Sequence, residues 1–111
     1  MDDALRVIDQ RRFVRYDVNW VGQAVFPTGT TTIRVLDLSL GGARIALPLP
    51  FASYQAEIRQ LRLPDIALLA CSRRWSTDRL VGVQFDQPEQ AYASLRTIIA
   101  QLEDRVRSSA G

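Results

Sequence analysis

The stretch that decides the fold class is Thr31-Thr32-Ile33-Arg34-Val35-Leu36-Asp37-Leu38-Ser39-Leu40-Gly41-Gly42. Residues 31–38 alternate, with Ile33, Val35 and Asp37 on one side and Arg34, Leu36 and Leu38 on the other, the period of a β-strand. Asp37 and Ser39 are two apart, so on an extended chain they face one way. Gly41-Gly42 breaks the strand, since glycine permits positive φ and close backbone approach. Residues 43–47 then read as the next strand.

Working outward, the same grammar repeats. Residues 18–26 are rich in β-formers and end at the turn Pro27-Thr28-Gly29. Pro48-Leu49-Pro50-Phe51 reads as a loop, because two prolines in three positions oppose a central strand. Residues 54–63 are ambiguous between helix and strand and are read as a strand, because they lie between turn signals in a run of strands. Residues 65–75 form another, Ser76-Thr77-Asp78 turns the chain, and residues 80–85 return. After Pro88, Tyr92, Leu95, Ile99, Leu102 and Val106 recur at helical spacing, with Arg105 and Arg107 in the last turn. Residues 108–111 are expected to fray. The expectation is a mainly β fold: a six-stranded antiparallel β-barrel with a C-terminal α-helix over one mouth or flank. The chain reads as one domain, with an arm (1–16), a barrel (17–86) and a helix (88–107). Residues 2–9 can add one or two helical turns.

Composition excludes several classes of function. All 14 basic residues are arginine; lysine and histidine are absent. That removes a P-loop lysine, a Schiff base, an imidazole base and a histidine-bound zinc. No pair among the 12 acidic residues stands out as an acid–base couple, so no catalytic residue is assigned and an enzyme is not expected. Cys71 is the lone cysteine, so neither a disulfide framework nor a metal cluster is expected. No apolar run approaches the roughly 20 residues of a membrane span, and the acidic start Met1-Asp2-Asp3 lacks a signal peptide's apolar run. A cytoplasmic protein with no cofactor follows as the expectation. The net charge of +2 gives no argument for nucleic acid as a partner.

What remains is a set of residues suited to a small anionic ligand with guanine edges. Arg11-Arg12-Phe13-Val14-Arg15 supplies guanidinium forks, which pair bidentately with phosphate and with the O6/N7 edge of guanine. Asp37 supplies a carboxylate for the N–H donors of guanine's other edge, and Ser39 a hydroxyl. In an extended arm Arg11 and Arg15 point the same way about 13 Å apart, at ~3.3 Å per residue. They can therefore reach different parts of one ligand.

The order RxxxR then DxSxxG resembles the PilZ domain, a bacterial receptor family for cyclic di-GMP. Arg11 and Arg15 fill the first pattern; Asp37, Ser39 and Gly42 fill the second. The phrase RRW-STDR-LVGVQF (residues 73–85) resembles the family's last hairpin. The resemblance spans about residues 10–105 and implies a cyclic di-GMP site at Arg11, Arg12, Arg15, Asp37, Ser39, Gly41 and Gly42. Gln10, Arg44 and Trp75 are further candidates. The arm would fold over the ligand against the barrel. Gln10 stands where many members carry another basic residue, which leans toward one ligand molecule per chain. The resemblance also implies a downstream protein contacted in trans, with motility, adhesion or exopolysaccharide output.

Each feature also has a purely structural reading. The arginines can be a solvated arm, Asp37 and Ser39 can cap their own turn, and Trp75 can be core. Two other classes therefore stay open: a PilZ-like adaptor that binds no nucleotide, and a small barrel that binds single-stranded nucleic acid. The latter expects aromatic and basic residues interleaved along strands. Phe13, Tyr16 and Trp20 lie near arginines but continue into no stripe.

Overall fold

A computed structural model describes residues 14–66 and 68–110, with side chains as far as Val106. The chain runs β1 (Tyr16–Phe26), β2 (Gly29–Leu38), β3 (Gly42–Ala46), a 3-10 turn (Phe51–Tyr54), β4 (Gln60–Arg62), β5 (Leu68–Thr77), β6 (Leu80–Phe85) and α1 (Pro88–Ala110). The strands close antiparallel in the order β1-β2-β3-β6-β5-β4. This is the six-stranded barrel with a C-terminal helix that the alternating segments predict. Each strand lends its inward residues to one core, among them Ala24, Val35, Ile45, Leu61, Leu69 and Val81.

Helix α1 docks on this core through buried Ala91, Leu95 and Leu102, with Ile98 and Ile99 packed beside them. The predicted stripe is right at Leu95, Ile99 and Leu102 and wrong at its ends. Tyr92 is 51% and Val106 58% exposed. Ala91 takes the docking position next to Tyr92, and residues 103–106 are all exposed, so α1 runs on past the surface it packs against. The helix also continues through Ser108 to Ala110, where fraying was expected.

Residues 54–63 correct the sequence reading. A strand forms only at Gln60–Arg62. Before it, Ser53 donates from its amide and hydroxyl to the Pro50 carbonyl at 3.0 and 2.6 Å. The Tyr54 ring stacks on Phe26 with centroids 4.8 Å apart, and Gln55 turns left-handed at φ 54°. These contacts bend the chain where an extended run was expected. Arg59 rejoins the sheet by donating to the Val25 carbonyl at 2.8 Å and accepting from the Cys71 amide at 3.0 Å. The last hairpin is also tighter than expected. β5 runs through Thr77, and the turn is carried by left-handed Asp78.

Strand β2 carries the correction that matters most for the site. In its pairing with β3, Val35 faces Ile45 but Asp37 faces Arg44, so Leu36 is an extra residue. Such a bulge flips the alternation of everything after it. Leu38 joins the core, fully buried and paired with Ala43, while Asp37 moves to the side of Arg44. Simple alternation had put Asp37 with Val35 and Leu38 opposite.

Candidate functional site

The pairing registers bring one row of residues together across the sheet. Asp17 pairs with Asp37, Asp37 with Arg44, Arg44 with Gly82, and Gly82 with Trp75. The row crosses β1, β2, β3, β6 and β5 in turn. A cavity of about 210 Å³ opens over its middle. From β2 and the following turn it is lined by Asp37, Ser39 and Gly41, and from β3 by Gly42, Ala43 and Arg44. Arg74 and Trp75 of β5, Gly82, Val83 and Gln84 of β6, and Arg15 just before β1 complete it.

Of the residues singled out from sequence, Arg15, Asp37, Ser39, Gly41, Gly42, Arg44 and Trp75 all line this cavity. Gln10, Arg11 and Arg12 lie outside the described residues, as does the helical turn expected at residues 2–9. Arg74, Gly82 and Gln84 were missed. Arg74 is an extra residue in the β5–β6 pairing, which shifts register between Arg73 and Trp75. Nothing local in the sequence announces that bulge.

The Ser39 turn is held by its own side chain. The Ser39 hydroxyl accepts from the Gly41 and Gly42 amides at 3.1 and 3.2 Å, and the Ser39 amide donates to the Gly42 carbonyl at 2.9 Å. The structural reading of Ser39 as a turn cap is therefore correct as to geometry. Gly42 is required by close approach: a Cβ there would lie 2.1 Å from the Val83 carbonyl oxygen. Positive φ, the other reason offered for the glycine pair, is found among described glycines only at Gly29.

Asp37 does not cap the turn. It accepts from Arg44 Nε at 2.9 Å, and its side chain is only 9% exposed against 39% for Arg44. Arg74 donates to Gln84 Oε1 on the far wall. Three arginines and one carboxylate thus line the same partly enclosed space, an excess of positive charge among the described lining residues. Such a site attracts an anion, and low-dielectric walls strengthen that attraction. Trp75 is 39% exposed, so it is not core. Its indole forms the one aromatic surface of the cavity among the described residues. Among the described residues no cluster has the makings of a metal site, and no helix is long and apolar enough to cross a membrane.

A family model for the PilZ domain matches residues 9–103. The chain belongs to the PilZ domain family, whose members are ligand-binding domains associated with cyclic di-GMP. The fold is also similar to the crystal structure of an uncharacterized Legionella protein, with a TM-score of 0.56. That likeness covers 86% of this chain and 99% of the other at 14% identity, and it supports the fold alone. No curated protein matches the sequence.

Proposed function

We propose that this protein is a cyclic di-GMP receptor that acts by binding and not by catalysis. The observation that carries the reading is the convergence of Arg15, Asp37, Arg44 and Trp75 on one positively charged cavity at the base of the N-terminal arm. The two phosphates would pair with guanidinium groups, which bind such oxygens bidentately. The Asp37 carboxylate suits the N–H edge of a guanine, and the Trp75 indole suits its face. Ser39 contributes by fixing the turn and its amides more than by its hydroxyl, which is already engaged.

The cavity's size supports a role for the arm. About 210 Å³ is below the roughly 300–1,000 Å³ of sites that enclose drug-sized ligands. It has room for part of a cyclic dinucleotide, and Arg11 and Arg12 would close over the remainder. On this reading the N-terminal arm that carries Arg11 and Arg12 orders against the barrel as ligand binds. Each ordered residue costs about 1–2 kcal/mol of backbone entropy, offset by the phosphate contacts. The closed arm is then a new surface for a downstream protein in trans, regulating motility, adhesion or exopolysaccharide output from the cytoplasm.

Isothermal titration with cyclic di-GMP tests the reading. The expected result is a dissociation constant in the micromolar range or tighter, about −8 kcal/mol. No heat up to millimolar ligand would favour the adaptor alternative, for which the turn-holding role of Ser39 is the supporting observation. An oligonucleotide in the same cell addresses the nucleic-acid alternative.

A further inference from the structure

Trp75 owes its position to a neighbour with no side chain. A Cβ built on Gly82 would lie 2.2 Å from the indole Nε1, 2.4 Å from Cε2 and 2.9 Å from Cδ1. Three consecutive ring atoms so close to one point place that point over the ring face, not beyond its edge. The five-membered part of the indole therefore rests on the Gly82 backbone. Trp75 pairs with Gly82 across β5–β6, and Gly82 pairs with Arg44 across β3–β6. Leaning over Gly82, the ring lines the cavity together with that glycine and Arg44.

We infer that Gly82 is a positioning residue: it lets the Trp75 indole lie flat on the barrel wall, which keeps the cavity wide enough for a planar base. The inference deepens the ligand-binding reading above and rests on it for its consequence, though not for its geometry. The three atoms nearest to a Cβ at position 82 all belong to the indole. A methyl there is accommodated by moving the ring, and the ring's way out is across the cavity. Gly42 differs, since there the obstacle is the Val83 backbone.

Two measurements decide the matter. The first needs no ligand. Trp20 is the other tryptophan, so in a Trp20→Phe background the emission reports Trp75 alone. Gly82→Ala should raise acrylamide quenching and shift the emission, with far-UV circular dichroism unchanged. Unchanged emission would overturn the seat. The second is titration with cyclic di-GMP. Gly82→Ala should weaken binding about tenfold, the order of one lost base–aromatic stack. In a Trp75→Ala background the same substitution should change nothing further. An equal loss in both backgrounds would overturn the inference, because Gly82 would then act without Trp75. If Gly82→Ala fails to fold, Trp75→Ala/Gly82→Ala should fold, since the methyl then has room; failure of the double variant as well would place the need for glycine in the strand and overturn the seat. If wild-type protein binds no cyclic di-GMP, the proposed function falls while the emission experiment still decides the role of Gly82.

Discussion

Arg44 Nε donates to Asp37 Oδ2 at 2.9 Å, and the two residues face each other across β2 and β3 only because Leu36 is bulged out of the pairing. Arg44→Ala removes that donor from a carboxylate whose side chain is 9% exposed. The expected cost is about 1 kcal/mol, the low end for a covered polar group left without a partner, because Arg44 itself is partly in solvent. Urea unfolding measures it. Arg44→Lys should recover only part, since an ammonium cannot reproduce the side-on guanidinium contact. A full recovery would mean that Asp37 needs only a nearby charge.

Arg11→Ala and Arg15→Ala should each weaken cyclic di-GMP binding by about 1.5–3 kcal/mol, the range for a charge-assisted hydrogen bond. Arg15 is exposed at the cavity rim, so its removal should leave stability within about ±0.5 kcal/mol. Calorimetry and thermal melts on the same samples separate the two effects. Wild-type affinity in either variant would make that arginine a bystander.

Gly42→Ala should behave in the opposite way. The new methyl meets the Val83 carbonyl oxygen at 2.1 Å, which only a backbone shift between β3 and β6 can relieve. Overpacking of this kind costs about 1–3 kcal/mol. The melting temperature should fall whether or not ligand is present. An unchanged melting temperature would show that β3 and β6 can part at little cost.

Cys71 gives a probe of unfolding. It is 2% exposed, and burial, with help from Asp86, pushes its thiol from 9.0 up to about 12. A thiol reagent at pH 8 should therefore label it only as fast as the barrel opens. The raised value also has a sign for stability. Below pH 9 both states hold the proton and nothing is lost. Between pH 9 and about 12 only the unfolded state releases it, so stability should fall as pH rises. Rapid labelling of folded protein would show that β5 opens locally near Cys71.

The parts legible in sequence were those set by neighbours along the chain. Ile33 and Val35 announced a strand, Leu95, Ile99 and Leu102 a helix face, and Ser39 with Gly41 and Gly42 a tight turn. The row Asp37–Arg44–Gly82–Trp75 was not legible, because its members meet through registers that two bulges reset. No local pattern says that Leu36 or Arg74 is the extra residue. The motif residues Asp37, Ser39 and Gly42 marked part of the cavity lining, but the flip that turns Asp37 away from Val35 is set by the bulge. Gln55 illustrates the reverse case: a segment with strand-like neighbours was bent by Pro50, Ser53 and the Tyr54–Phe26 stack.

Closure of the barrel depends on β4, whose residues Gln60–Arg62 pair with β1 on one side and β5 on the other. In the strand order β4 lies diametrically opposite β3, the middle of the cavity wall. The shortest joint of the ring is thus three strands from Arg44 and two from Asp37 and Gly82. Breathing at β4 can loosen the cylinder while the opposite wall keeps its shape. For an engineer this makes exposed, left-handed Gln55, just ahead of that joint, the natural splice point for a reporter. A fluorescent module inserted there would lie in the segment that leads into β4, outside the strands that carry Asp37, Arg44 and Gly82.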